Sequence, residues 1–128
     1  MMKNYTSYDL IEWGKPFEKR QNAMPEPTLS EVLVRVTAAG LCHSDLHVQK
    51  GYMDLGEEGR LTFAERGAQL PMTFGHEIAG IVEAIGDDVK TVSKGQQVLV
   101  FPWIGCGDFL ACYEDRERDC PEFLIFWN

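Results

Sequence analysis

Residues 40–47 read Gly-Leu-Cys-His-Ser-Asp-Leu-His, which sets one thiol, two imidazoles, one hydroxyl and one carboxylate within eight positions. Neither a core strand nor a solvated loop has that composition. Cys42 is a soft ligand of the kind zinc takes, and histidine is a nitrogen donor zinc accepts readily. Some thirty residues on, Gly75-His76-Glu77 adds an imidazole and a carboxylate able to ligate a metal or to hydrogen-bond beside one. A third group lies at Cys106, Cys112 and Cys120, three thiols in fifteen residues. In a reducing compartment such a group more often means a closed structural metal site; in a secreted chain the four cysteines could form two disulfides. Spacing alone leaves these readings open. A free cysteine also serves as a small core residue, and a single histidine as a hydrogen-bonded polar group.

These groups need elements to position them. Residues 31–40, "EVLVRVTAAG", alternate Val32, Val34 and Val36 against Leu33, Arg35 and Thr37. The pattern predicts a half-buried strand that ends at Gly40 and delivers Cys42 just beyond its end. Three prolines in the first thirty residues, Pro16, Pro25 and Pro27, argue against helix there and for edge strand and loop. The stretch 51–71 is charged and punctuated by glycine, and reads as a long surface excursion. Residues 72–86 and 87–102 are rich in β-formers with glycine and Asp-Asp corners. Short strands, glycine corners and no long 3.6-residue period predict a small β-barrel or sandwich. No Gly-x-Gly-x-x-Gly follows a strand, so no dinucleotide-binding unit is expected within these residues. The tail "PEFLIFWN" places an apolar run at the last positions, expected to pack into the core or onto a partner, unless the chain is cut from a longer one.

Composition narrows the classes. A chain of 128 residues, 45% hydrophobic and 25% charged, is sized and composed for one globular domain. A net charge of -8 argues against nucleic acid and anionic membranes as partners. No apolar run approaches the ~20 residues of a membrane span. The opening residues lack the apolar core of a signal peptide, so a cytoplasmic location is the expectation.

Three segments together resemble the N-terminal catalytic domain of the zinc-dependent medium-chain alcohol dehydrogenases. "AAGLCHSDLH" is similar to the segment carrying that family's first catalytic-zinc ligand. "GHEIAGIVEAIGDDV" matches its G-H-E-x-x-G-x-x-x-x-x-G-x-x-V pattern at every fixed position. "KGQQVLVFPWIGCG" is similar to the strand leading into its structural-zinc lobe. The likeness runs from about residue 25 to Cys120. It implies a mainly β fold, a GroES-like partly open β-barrel with short helices, one of them after Cys42, and a protruding cysteine lobe at residues 104–120. It implies Cys42 and His76 as catalytic-zinc ligands, with Asp45 and Glu77 as carboxylates close behind; Glu77 can also exchange onto the metal. Ser44 is implied as the hydroxyl that takes the alcohol proton, and His47 as the relay that passes it toward solvent. His43 falls where the family places a basic residue near the cofactor pyrophosphate. The implied activity is oxidation of an alcohol to an aldehyde or ketone, or the reverse, with NAD or NADP. The implied partner is a small alcohol or carbonyl substrate, and a homo-oligomer stays open. Residues 54–70 would then shape either the pocket mouth or a subunit contact.

The sequence departs from the family in two respects. The lobe pattern is C-x-x-C-x-x-C-x7-C, and Phe109 stands at its second cysteine. Phenylalanine cannot ligate, which leaves three readings: a weakened three-thiolate site, a lobe packed around Phe109, or a disulfide. The third catalytic-zinc ligand and the nucleotide-binding Rossmann domain of the family lie past residue 128, so the chain alone is expected to be inactive or nearly so. A non-catalytic zinc-binding barrel module that binds a protein partner is the alternative expectation.

Overall fold

The computed structural model describes residues 4–122, together with the backbone of residues 124 and 125. The described elements run β1 (Asn4–Leu10), β2 (Glu18–Ala23), β3 (Val32–Gly40), α1 (His43–Lys50), β4 (Tyr52–Asp54), β5 (Arg60–Thr62), β6 (Met72–Thr73), β7 (Glu77–Ile85), β8 (Gln97–Val100), β9 (Trp103–Ile104), α2 (Leu110–Tyr113) and β10 (Leu124–Ile125). The fold is mainly β, as the short strands and glycine corners predict. Two three-stranded antiparallel sheets dominate, ordered β2–β1–β6 and β3–β7–β8. No helix among the described residues is long and apolar enough to cross a membrane.

β7 is the organising strand. Its inward positions Ile78, Gly80 and Val82 are buried at alternate residues, the period of a strand with one face on the core. Gly80 is there for contact: a Cβ at this position would lie 2.7 Å from the Arg35 carbonyl of the neighbouring strand and would also collide with Val34. The first sheet adds a second patch of core, where Leu10 faces Met72 across β1 and β6 with both side chains buried. Burial of side chains of this size contributes about 1.5–3 kcal/mol each.

Three sequence expectations change in detail. β3 forms where predicted and ends at Gly40, but register shifts between Leu33 and Val34 and between Val36 and Ala38 break its two-residue alternation. Val36 is 53% exposed rather than half-buried, and it stands opposite Gly80, which has no side chain to cover it. The stretch 51–71 is not a plain excursion. β4 and β5 pair as a hairpin around a 3₁₀ turn at Gly56–Glu58, and the Arg60 guanidinium lies over the Tyr52 ring at 4.3 Å. Its charged residues concealed a strand pair too short to show a periodicity. The tail contributes a two-residue ladder, Leu124 opposite Ile104 and Ile125 opposite Trp103, and the remainder of the apolar run lies outside the described residues.

Gly80→Ala is expected to destabilise the chain by about 1–3 kcal/mol, because the obstructing atom belongs to backbone and cannot turn aside. Urea denaturation reads this as a lower midpoint at unchanged slope.

Candidate active site

Antiparallel pairing of β3 with β7 sets Gly40 directly opposite Glu77. The pairing brings the ends of the two motifs together although some thirty residues separate them. Donor atoms of Cys42, His76 and Glu77 lie within 4.8 Å of one another. Gly40 makes room for this: a Cβ on it would run into the Glu77 carboxylate. A thiol, an imidazole and a carboxylate at this spacing form a donor set that zinc accepts.

Cys42 follows the strand in an extended conformation and serves as the N-cap of α1. Asp45 lies three residues into the helix and is 4% exposed. One of its oxygens accepts the Cys42 backbone N–H at 3.0 Å, the reach-back half of a capping box. The other lies 3.2 Å from His76 Nδ1. A proton on Nδ1 is the form that donates to this carboxylate, and it leaves the lone pair on Nε2 for a ligand. A single buried carboxylate thus fixes both the helix start and the imidazole.

Other contacts hold the two halves in place. His76 is preceded by Gly75 at φ +98°, a left-handed conformation that favours glycine. Ahead of it, the Phe74 ring meets Phe17 at 4.9 Å, and the Thr73 hydroxyl donates to the buried Asp9 at 2.7 Å. The far end of α1 is docked by the loop before β2. Gly14 N–H donates to the Gln49 carbonyl at 2.7 Å, Gln49 Nε2 donates to the Lys15 carbonyl at 2.8 Å, and Trp13 lies against Gly51. Asp45 and Val48 form the buried side of the helix.

Ser44 is half-buried and donates to Cys42 Sγ at 3.1 Å, which places its hydroxyl beside the thiol. His47 is half-buried one turn further on, and its ring meets that of the exposed His43 at 4.9 Å. No direct hydrogen bond joins Ser44 to His47 among the described residues, although both lie on α1.

Cys106, Cys112 and Cys120 also converge, with their sulfurs within 4.8 Å of one another. Gly105 permits this, since a Cβ there would stand 2.6 Å from Cys112 Sγ. All four cysteines are free thiols. Phe109 is 40% exposed at the N-cap of α2, so the lobe is not built around it, and no disulfide is formed. The donor cluster contains no fourth group among the described residues. The lobe edge carries an ion-pair network, in which Glu114, and more weakly Asp119, hold the Arg116 guanidinium above its ordinary pKa.

Sequence reading named every donor in both clusters and the Asp45 that braces His76, but missed the glycines that make room for the donors and the more distant packing residues. Gly40 and Gly105 bear no signal beyond adjacency to a cysteine segment. Trp13, Phe17 and Asp9 act across long sequence separations that no local pattern reveals.

The chain belongs to the alcohol dehydrogenase GroES-like domain family, whose pattern matches residues 28–126. It is 43% identical over 118 residues to the NAD-dependent alcohol dehydrogenase of Sulfurisphaera tokodaii. It matches that of Saccharolobus solfataricus equally well over the same length. Both alignments cover 90% of this chain and 33% of the relative. A crystal structure of an alcohol dehydrogenase zinc-binding domain protein from Burkholderia ambifaria superposes with a TM-score of 0.74 at 35% identity, covering 92% of this chain and 28% of that one. The chain thus spans about a third of the length of the curated relatives it matches.

Asp45→Ala is expected to destabilise the metal-free protein by about 1–3 kcal/mol, since it removes the acceptor for the Cys42 N–H at a buried helix start. Chemical denaturation in the presence of a chelator measures it. A change below a few tenths of a kcal/mol would mean that Asp45 serves the imidazole alone.

Proposed function

We propose that this chain is the catalytic-domain part of a zinc- and NAD(P)-dependent alcohol dehydrogenase. The observation that carries the reading is the convergence of Cys42, His76 and Glu77 within 4.8 Å, with Asp45 braced behind His76 and the Ser44 hydroxyl beside the thiol. Cys42 and His76 would hold zinc, and Glu77 would complete or exchange within the ligand set. Bound zinc supplies Lewis acidity that favours the alkoxide form of an alcohol, and bound NAD or NADP accepts the hydride. Ser44, as both acceptor and donor, takes the alcohol proton. His47 passes it to solvent, bridging the gap from Ser44 by way of water or substrate. His43, exposed at the first turn of α1, is suited to meet the cofactor's phosphates. The substrate is a small alcohol or carbonyl compound, with no nucleic acid or membrane partner. A cytoplasmic location and a homo-oligomeric parent are consistent with this reading.

The lobe fits the family's structural zinc less well. Such sites are almost always four-coordinate, and Phe109 occupies the place of one thiolate. We read Cys106, Cys112 and Cys120 as a weakened site. A second overall reading, a zinc-binding module that docks a protein partner, draws on the exposure of Leu99 at 85%, Phe101 at 60% and Val36 at 53%. Ser44 and His47 speak for the catalytic reading, because a docking module has no use for a proton relay.

Metal analysis of the purified chain tests the proposal. One zinc per chain that is lost in Cys42→Ala and in His76→Ala is the expected result; a zinc content unaffected by both would overturn it. Phe109→Cys is expected to add a second zinc and to raise the melting temperature, because structural zinc binding is coupled to folding. Unchanged zinc and melting temperature in that variant would remove the lobe from the list of metal sites.

A further inference from the structure

We infer that Cys106 and Cys120 form a redox-active thiol pair that closes to a disulfide under peroxide, a property that follows from the missing fourth donor of the lobe. A closed four-thiolate site shields its sulfurs by saturating the metal. Here only three sulfurs converge, and nothing among the described residues completes the set. The thiols are left without the partner that would make them inert.

Geometry selects the pair. The Cys120 thiol is directed at Cys106 Sγ, with the sulfurs 3.5 Å apart. A disulfide requires roughly 2 Å, so closure asks for about 1.5 Å of approach. Cys106 can supply that movement. It is exposed and sits between Gly105 and Gly107, the latter at φ +87°. Cys120 is 1% exposed and cannot meet an oxidant from solvent. An accessible sulfur in contact with a sheltered one is the arrangement of an attacking and a resolving cysteine. Cys112 is half-buried on α2, and Gly105 seats its sulfur against the backbone. It is a neighbour of the pair rather than a member.

The chemistry balances with hydrogen peroxide as the oxidant. The Cys106 sulfur attacks one peroxide oxygen, the O–O bond breaks, and a sulfenic acid and one water result. The Cys120 sulfur then attacks the sulfenic sulfur, the S–O bond breaks, and a second water leaves. Two thiols lose two electrons and two protons in all, and peroxide is reduced to two waters. The product withdraws two of the lobe's three sulfurs from metal binding and closes the loop that carries α2.

The test uses the full chain, reduced and held in chelator, then treated with hydrogen peroxide, alkylated and mapped by mass spectrometry. The expected result is loss of two of the four alkylatable thiols, a crosslink between the peptides containing Cys106 and Cys120, and full reversal by dithiothreitol. Cys112→Ser should give the same crosslink, and Cys106→Ser should give none. In Cys120→Ser, Cys106 should persist as a sulfenic acid trapped by dimedone. Should that buried substitution unfold the chain, the two other variants still decide. A crosslink through Cys112, or irreversible oxidation of Cys106 with Cys120 still alkylatable, would overturn the inference.

Discussion

The site depends on the register of one antiparallel strand pair. β3 and β7 meet with Gly40 opposite Glu77, and from that pairing follow the position of Cys42 just past one strand and of His76 just before the other. A shift of one residue would turn each strand's side chains to the opposite face and separate the donors. Two features resist such a shift. The irregularities at Leu33/Val34 and Val36/Ala38 lock the ladder at defined points, and Gly80 admits the Arg35 carbonyl only in this alignment. The glycine that spares Glu77 and the glycine that spares Arg35 lie on opposite strands of the same pair. The donor cluster and the sheet packing here share one requirement for close backbone approach.

The two thiol clusters make an instructive contrast. Around Cys42 the donors are chemically mixed and each is braced by another group: Ser44 donates to the thiol, Asp45 holds the imidazole, and β-pairing holds Glu77. Around Cys106 the donors are all sulfur, with the Asp108 N–H and the Cys120 thiol directed at Cys106. Outer partners of this kind govern how firmly a site holds its metal. The first cluster is therefore preorganised for a ligand, whereas the second rests on local turns and a four-residue helix.

Much of this was legible in the sequence because donor identity is local information. Cys42, His76, Glu77 and the three lobe cysteines stood out by residue type and were assigned as donors by the family resemblance, and a mainly β fold followed from short strands between glycine corners. Strand β3 was placed correctly, yet its burial was misjudged, because the pattern does not show that Val36 faces a glycine across the sheet. The β4–β5 hairpin was missed because strands of three residues are too short to show alternation. Phe109 illustrates a different limit. Its failure to ligate was evident at once, but whether it would fill the lobe or point to solvent depended on the packing of α2. The bracing contacts from Trp13, Phe17 and Asp9 join residues far apart in the chain, and no window of sequence contains both partners.

The distance in sequence between Cys42 and His76 also has a temporal meaning. The helix bearing Cys42 can begin to form as soon as its own residues leave the ribosome, since helix contacts are local. The β3–β7 ladder cannot be completed until Ile85, its last paired residue, has emerged, and non-local strand pairing is the slow class of event in folding. During synthesis the thiol of Cys42 is therefore presented well before its imidazole and carboxylate companions arrive. The nascent chain passes through an interval in which Cys42 stands at a helix start without His76 and Glu77, and that interval closes when β7 zips onto β3.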